Sequence, residues 1–175
     1  MLDFNNTQIA FSSKSNGELR NAQLLFTAIA HPSLVKCAKV ASNFALKIHF
    51  PVSWAVKPTL YKQFVGGETL QDCLPVIEHL KKYNVKSTLD FSAESEQTPE
   101  GIQATFEETL RSIDFARGNE NLAYTVFKPS TITTDDLLAK ASEKREPLTE
   151  EEKAEYEEFK KRFFALCQRA YDNDV

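Results

Sequence analysis

The sequence predicts an α/β fold in which a helical segment precedes a strand–helix–strand unit and two further helices. Three observations lead to this prediction. In residues 18–83, apolar side chains recur every three or four positions, as on one face of a helix. Residues 85–92 and 121–129 instead have the alternation or the β-branched and aromatic content of strands. The stretch of about 30 residues between them can hold a crossover helix, which indicates parallel strands.

The composition is that of one globular domain. The chain has 175 residues, of which 42% are hydrophobic and 26% charged, and its 13 phenylalanines predict a phenylalanine-rich core. Five glycines and no glycine-rich phosphate loop argue against a nucleotide-binding fold. The cysteines and histidines lack disulfide-framework and metal-ligand spacing. We expect reduced cysteines, no metal site and a cytoplasmic location, since neither a signal-peptide pattern nor a membrane-spanning apolar run is present.

Charge is distributed unevenly along the chain. Residues 19–67 contain no aspartate or glutamate. The basic residues of this segment are Arg20, Lys36, Lys39, Lys47, Lys57 and Lys62. The segment has a formal charge of +6 and the whole chain −4, so the remaining residues carry −10. The two parts are therefore expected to meet different surroundings.

The helical segment divides into three predicted helices. The first covers residues 18–30 and ends before Pro32, because the residue before a proline avoids helical backbone angles. The second covers residues 33–50, with its lysines flanking the apolar face. The third covers residues 70–83, with Thr69 as its N-cap in an arrangement like a capping box.

The strand–helix–strand unit follows. The first strand is predicted at residues 85–92. Thr98 and Pro99 then begin a helix, as N-cap and first helical position, and Gly118 ends it as a left-handed cap. The second strand is predicted at residues 121–129, with a proline at its end, where the ladder can lose a donor.

Two helices complete the chain. The first is predicted at residues 134–142, and the second begins after Thr149, which forms a capping box with Glu152. Residues 172–174 are expected to be a loop. The apolar stripe of the long helix comprises Tyr156, Phe159, Phe163, Leu166 or Cys167, and Ala170.

Three segments together carry a resemblance to a known family. They are FVGGE (64–68), TLDFSAE (88–94) and VFKPSTIT (126–133), and in this order and spacing they resemble proline dehydrogenase. Residues 6–19 are similar to the arm of the bacterial one-function enzymes, and residues 148–163 to their helical insert. The family usually has a tyrosine where this chain has a phenylalanine in TLDFSAE.

The resemblance implies a larger fold than the chain contains. In the family, a helical arm precedes a (β/α)8, TIM-like barrel. Residues 1–84 would form the arm, and residues 85–175 the first two strands and helices of the barrel, with a helical insert after the second strand. Because two parallel strands are a poor sheet alone, we expect an N-terminal portion with an incomplete barrel. The missing C-terminal half could be a separate chain.

The resemblance also implies a function and a set of site residues. The family uses FAD to oxidise L-proline to 1-pyrroline-5-carboxylate in proline catabolism and passes the electrons to quinone. Lys128 matches the lysine that binds the substrate carboxylate. Asp90 and Glu94 match acidic positions that organise the pocket rim or hold Lys128 by an ion pair. Ser130 and Thr131 are expected to approach the cofactor, and most FAD contacts are expected outside this chain.

Plainer alternatives exist for each of these roles. A strand-end lysine can extend into solvent, the acidic residues can be helix caps or surface charges, and Ser or Thr after a strand often caps the next turn. The whole chain could be a non-catalytic helical interaction module. It could also bind an anionic membrane surface peripherally, on the inner membrane face, through residues 20–62. A nucleic-acid partner is disfavoured because the overall charge is acidic.

Overall fold

The computed structural model describes residues 3, 5–91, 97–143 and 147–175, apart from the side chains of residues 54 and 55. The chain divides into two compact units, Met1–Tyr83 and Asn84–Val175.

The described part of the first unit is helical. Its helices are α1 (Thr7–Ala10), α2 (Asn16–Ile29), α3 (Pro32–Lys47), α4 (Ser53–Val56), α5 (Lys62–Phe64) and α6 (Leu70–Lys81). A π-helical turn at Lys57–Tyr61 joins α4 to α5. α2 contacts both α3 and this turn. The three helices predicted from apolar periodicity therefore correspond to α2, α3 and α6.

Capping boxes determine where two of these helices begin. The amide of Asp72 donates to the Thr69 hydroxyl at 3.2 Å, and the amide of Thr69 donates to the Asp72 carboxylate at 3.0 Å. This predicted capping box starts α6. An equivalent box of Ser15 and Glu18 starts α2, two residues before the start predicted from periodicity. The S-x-x-E pattern predicts this start better than apolar periodicity does. A helix begins where a side chain accepts hydrogen bonds from its first amides, and apolar spacing carries no information about those bonds.

α3 ends earlier than predicted. The apolar pattern continues to residue 50, but the helix ends at Lys47. His49 has a left-handed φ of 55°, and the Phe50 amide donates to the Ala45 carbonyl at 2.9 Å. This is the backbone arrangement of a left-handed helix end, and histidine is among the non-glycine residues that adopt it more often.

Most apolar side chains of the first unit stay exposed. In its described part, Ile77 is the one buried apolar residue, and neither α2 nor α3 buries any residue. The exposed apolar side chains of these two helices are Leu24, Phe26, Ile29, Leu34, Val35, Val40, Phe44 and Leu46. Within the described ranges, no single helix has the length and apolar content to cross a bilayer. α2 and α3 taken together do, but the chain bends by 94° between them.

The second unit contains the predicted strand–helix–strand arrangement. Its elements are β1 (Ser87–Asp90), α7 (Pro99–Ala116), β2 (Leu122–Val126), α8 (Asp135–Glu143) and α9 (Glu150–Asn173). A 3-10 turn at Pro129–Thr131 follows β2. α7 packs against both β2 and α9.

The two strands pair in parallel, as their order along the chain predicts. Thr88 lies opposite Tyr124, and Asp90 lies opposite Val126. A register irregularity follows Ser87, where the pairing skips one residue of β2. Among the described residues the sheet has these two strands, so an α/β arrangement is present and the complete barrel stays a prediction.

The core of the second unit joins its helices to the segment after β2. Ile113 of α7, Ile132, and Phe159 and Leu166 of α9 form one buried cluster. The predicted apolar stripe of α9 is therefore confirmed. The predicted loop at its end is wrong, because α9 continues to Asn173.

The extension of α9 has a visible cause. The side-chain amide of Asn173 donates to the Asp114 carboxylate of α7 at 2.9 Å. Asp174 then takes a left-handed conformation with φ of 56° and ends the helix. A polar run at the end of a chain looks like a loop in the sequence, whereas here one of its side chains ties two helices together.

Candidate functional site

Two predicted site residues meet at the carboxyl end of the strand pair. Asp90 is the last residue of β1, and Lys128 lies two positions beyond the end of β2. Because the strands are parallel, their carboxyl ends share one edge of the sheet. The Lys128 Nζ lies 3.7 Å from the Asp90 Oδ2, and each side chain is 45% exposed. The ion pair is therefore both formed and accessible from solvent.

The exposure of this pair limits what it does for stability. Ion pairs that remain hydrated typically contribute only about 0.2–1 kcal/mol, because water screens them. The same exposure means that solvent, and therefore a dissolved anion, can reach the Lys128 side chain. The pair is thus better suited to binding a small anion than to holding the fold together.

The turn after β2 holds the main chain of Lys128 by hydrogen bonds. Thr131 donates its amide, at 2.9 Å, and its hydroxyl, at 2.8 Å, to the Lys128 carbonyl oxygen. Thr131 is buried, whereas Ser130 beside it is half-buried. The hydroxyl proton of Thr131 is therefore already donated within the turn, as in the capping alternative from the sequence.

The described residues around this turn do not form a flavin site by themselves. Of the two hydroxyls predicted to approach a cofactor, that of Thr131 bonds to the main chain, which leaves Ser130 as the hydroxyl at this position. Glu94, the other predicted acidic residue, lies outside the described residues. The local groups, a lysine ammonium that donates and an aspartate carboxylate that accepts, therefore fit a small charged ligand with a carboxylate better than they fit a flavin.

A second connection at this edge is not evident from the sequence. The Gln97 side-chain amide donates to the Asp135 carboxylate at 2.6 Å, and the Asp135 amide approaches the Gln97 Oε1 at 3.5 Å. These bonds tie the segment before α7 to the start of α8. Asp135 carries a helix-start signal, but nothing in the pattern pairs it with a glutamine 38 positions away.

The first unit holds a separate cavity of about 370 Å³ between α2 and residues 58–63. Glu18 and Lys62 line it and form an ion pair at 3.5 Å. The backbone amide and hydroxyl of Ser15 lower the pKa of the Glu18 carboxyl to about 2, with a smaller contribution from Lys62. Across the described ranges, no three histidine, cysteine or acidic side chains gather as possible metal ligands.

Comparison with known proteins shows which proteins the chain is similar to. Mitochondrial proline dehydrogenase 1 of Bos taurus is 33% identical over 113 residues, which cover 63% of this chain and 19% of that protein. The Caenorhabditis elegans protein of the same name is 35% identical over 99 residues, covering 55% and 16%. The chain is related to the proline dehydrogenases over part of its length. The resemblance predicted from its three segments is therefore confirmed.

Each match covers only part of this chain and a smaller part of the relative. The carbapenem antibiotics biosynthesis protein CarD of Pectobacterium carotovorum subsp. carotovorum also matches, with 28% identity over 81 residues, or 46% of this chain and 22% of that protein. The chain thus spans less than a quarter of the length of these relatives. No protein-family model and no solved structure matches it.

Proposed function

We propose that the chain is part of an enzyme that oxidises L-proline, and that Lys128 binds the carboxylate of this substrate. One observation carries the proposal: a half-exposed lysine lies at the carboxyl edge of a parallel strand pair, with its ammonium 3.7 Å from the carboxylate of Asp90. Parallel α/β folds place their ligands outside this edge of the sheet. The kinship with proline dehydrogenases supports proline as the anion's source.

The chemistry of proline fits this pair. At neutral pH proline is a zwitterion, so its carboxylate seeks a cation and its ring ammonium seeks an anion. Lys128 offers the first and Asp90 the second, while their mutual attraction holds the lysine near the strand end. Glu94 would contribute a further negative charge to the rim. Because both partners are half-exposed, substrate binding does not require a buried ion pair to be broken.

The remaining parts of the proposed reaction lie elsewhere. FAD would accept the hydride as proline becomes 1-pyrroline-5-carboxylate, and quinone would take the electrons in proline catabolism. Ser130, and Thr131 as an acceptor, are residues of this chain that could approach the cofactor. Most FAD contacts are expected in the rest of a (β/α)8 barrel, on this polypeptide or on a separate chain. The cytoplasmic location expected from the sequence belongs to the same proposal.

A binding experiment tests the role of Lys128 without requiring turnover. The chain is labelled with [ε-¹³C]lysine and titrated with tetrahydrofuran-2-carboxylate, which has the ring and carboxylate of proline but no oxidisable amine. Tetrahydrofuran-2-methanol, which lacks the carboxylate, is the matched control ligand. The Lys128 signal, identified by its loss in Lys128→Gln, should shift with the acid and not with the alcohol.

The variants set the expected size of the effect. Lys128→Gln should weaken binding of the acid about ten- to a hundredfold, which corresponds to about 1.5–3 kcal/mol for a charge-assisted hydrogen bond. Lys86→Gln, an exposed lysine just before β1 and so at the opposite edge of the sheet, should leave the affinity unchanged. Equal affinities of the parent and Lys128→Gln, or no response of the parent to the acid, would refute the proposal.

A second function is supported by the first unit. We propose that α2 and α3 bind an anionic membrane surface peripherally, on the inner face. Beyond Glu18 in the first turn of α2, these two helices contain no acidic residue, and Leu24, Val40 and Phe44 are 70%, 70% and 63% exposed. An amphipathic helix with a basic flank gains from both apolar burial and anionic headgroups. This would bring the chain close to a quinone dissolved in the bilayer.

Vesicle co-sedimentation tests the membrane proposal. The chain should bind vesicles rich in phosphatidylglycerol more tightly than pure phosphatidylcholine, and about 1 M salt should weaken the binding, since the Debye length is then about 3 Å. Lys36→Gln with Lys39→Gln should reduce affinity about tenfold or more, because each basic residue contributes about 1 kcal/mol. Lys81→Gln with Lys82→Gln, outside the acid-free segment, is the matched control. Equal losses in both double variants would contradict the proposal.

A further inference from the structure

Thr131 holds the main chain of Lys128 with two hydrogen bonds to one atom. Its amide donates to the Lys128 carbonyl oxygen at 2.9 Å, and its hydroxyl donates to the same oxygen at 2.8 Å. A carbonyl oxygen has two lone pairs, so Thr131 alone can satisfy it. Thr131 is 6% exposed, which shields these bonds from competing water.

The turn that carries Thr131 is itself fixed to the core. The next residue, Ile132, is fully buried and belongs to the central cluster, and its carbonyl accepts from the Arg162 Nη1 of α9 at 3.3 Å. Pro129 restricts Lys128 to extended backbone angles, and Lys128 has φ of −104° and ψ of 131°. Lys128 therefore leaves the sheet from a main chain that is held on its carboxyl side.

We propose that Thr131 is a positioning residue whose hydroxyl fixes the Lys128 main chain, so that the lysine ammonium meets Asp90 and the substrate carboxylate. This inference rests on the proposed carboxylate-binding function of Lys128. It assigns the proton of the Thr131 hydroxyl to the turn, so this hydroxyl could meet a cofactor only as a hydrogen-bond acceptor. A small rotation of the Lys128 backbone is amplified along four methylene groups, and misplacing a binding group by about 1 Å can be costly, up to about 100-fold in catalysis.

Two substitutions separate the hydroxyl from the shape of the side chain. Thr131→Val keeps the shape and removes the hydroxyl, and it should weaken binding of tetrahydrofuran-2-carboxylate about three- to tenfold, the loss of one neutral hydrogen bond. Thr131→Ser keeps the hydroxyl and should stay within about twofold of the parent. Thr109→Val is the matched control, since that buried hydroxyl also donates to a carbonyl, of Thr105 at 2.8 Å, but within α7.

A readout without ligand tests the positioning directly. In the [ε-¹³C]lysine-labelled chain, Asp90→Asn should shift the Lys128 signal, because it removes a charge 3.7 Å from the ammonium. The same substitution should shift this signal much less in the Thr131→Val background, and as much as in the parent in the Thr131→Ser and Thr109→Val backgrounds. Thr131→Ala replaces Thr131→Val if circular dichroism shows that the valine variant is unfolded.

The outcomes distinguish this inference from the function it rests on. If the variant without the hydroxyl keeps both the parent affinity and the full response to Asp90→Asn, Thr131 does not position Lys128. If Lys128→Gln itself leaves binding unchanged, the proposed carboxylate function fails. The response to Asp90→Asn then still decides whether Thr131 positions Lys128 toward Asp90.

Discussion

The two units of the chain differ in how far they bury their apolar side chains. In the second unit, Ile113, Ile132, Phe159 and Leu166 meet in one buried cluster. In the described part of the first unit, burial of apolar side chains is confined to Ile77. Helices of both units are amphipathic, so amphipathicity does not decide burial. A helix face is buried only where another element is placed against it, and in the second unit the strand crossover and α9 provide that element.

This difference separates the two proposed functions. A site that orients a lysine and an aspartate needs a fixed base, and the strand pair and the anchored turn of the second unit provide one. A surface that binds lipid needs exposed apolar side chains and basic residues, and α2 and α3 of the first unit provide both. Each function is thus placed in the unit whose packing suits it.

The largest expected effect comes from shortening a buried side chain in the core of the second unit. Leu166 is fully buried, so Leu166→Ala should destabilise the chain by about 2–5 kcal/mol through lost burial and a cavity. Val40→Ala, at a 70% exposed position of the first unit, should change stability by less than about 0.5 kcal/mol. Urea unfolding, with hydrogen exchange monitored separately in each unit, measures the stability change of both variants. Similar losses would mean that α3 is packed more tightly than its exposure indicates.

Substitutions of two glycines, Gly67 and Gly17, test whether the first unit is loosely packed throughout. A Cβ on Gly67 would lie 2.7 Å from the Asp72 Cβ and 2.8 Å from the Asp72 carbonyl carbon, so Gly67→Ala should cost about 1–3 kcal/mol of overpacking. Gly17 in α2 has nothing nearer than 4.0 Å, and Gly17→Ala should stabilise the helix by up to about 1 kcal/mol. Hydrogen exchange of α6 and α2 measures each. If Gly67→Ala leaves the stability of α6 unchanged, the backbone at the start of α6 shifts as easily as that of an exposed loop.

Matched capping boxes allow the same chemistry to be compared in both units. Ser15 begins α2 in the first unit, and Thr149 begins α9 in the second. Ser15→Ala and Thr149→Ala should each cost about 1 kcal/mol of local helix stability. The loss at Thr149 should also lower global stability, because α9 contributes to the core, whereas the loss at Ser15 should be confined to exchange within α2. Spread of the Ser15 effect beyond α2 would contradict this expectation.

The sequence predicts the elements better than it predicts their surroundings. Caps at Thr69, Thr98 and Thr149 are local chemistry, and the structure has all three. The phenylalanine-rich core is realised only in part: Phe159 is buried, whereas Phe44 on α3 is exposed. Burial depends on which elements meet, and the spacing of apolar residues in one helix does not contain that information.

The candidate site shows the same limit. The order strand, helix, strand places Asp90 and Lys128 at one edge, so their proximity can be anticipated from topology. The double bond from Thr131 to a main-chain carbonyl cannot, because threonine after a strand has several possible partners. The Gln97–Asp135 connection depends on a loop closing in space, which no local pattern encodes.

The smallest expected effect concerns Glu18 and the acid stability of α2. Its pKa of about 2 lies below the usual value of 4.5, so the ionised carboxylate stabilises the folded state. This contribution is complete above about pH 4.5 and is lost as the pH falls towards 2. Glu18→Gln should therefore lower the helix content of α2 at pH 6 and remove this part of its pH dependence. The effect is small because the Glu18 side chain is 38% exposed and partly screened.

The causes of the shift in the Glu18 pKa can be ranked by substitution. The Ser15 amide is the largest cause and the Ser15 hydroxyl the next, and the charge of Lys62 and its hydrogen bond are each smaller than either. Ser15→Ala keeps the amide, so it should return the Glu18 pKa only part of the way towards its usual value. Lys62→Gln should move it less, and salt should reduce that smaller change first because it screens an exposed pair. Titration of the Glu18 carboxyl carbon by NMR measures each pKa, and a larger change from Lys62→Gln than from Ser15→Ala would show that the cavity ion pair, not the helix cap, governs this carboxylate.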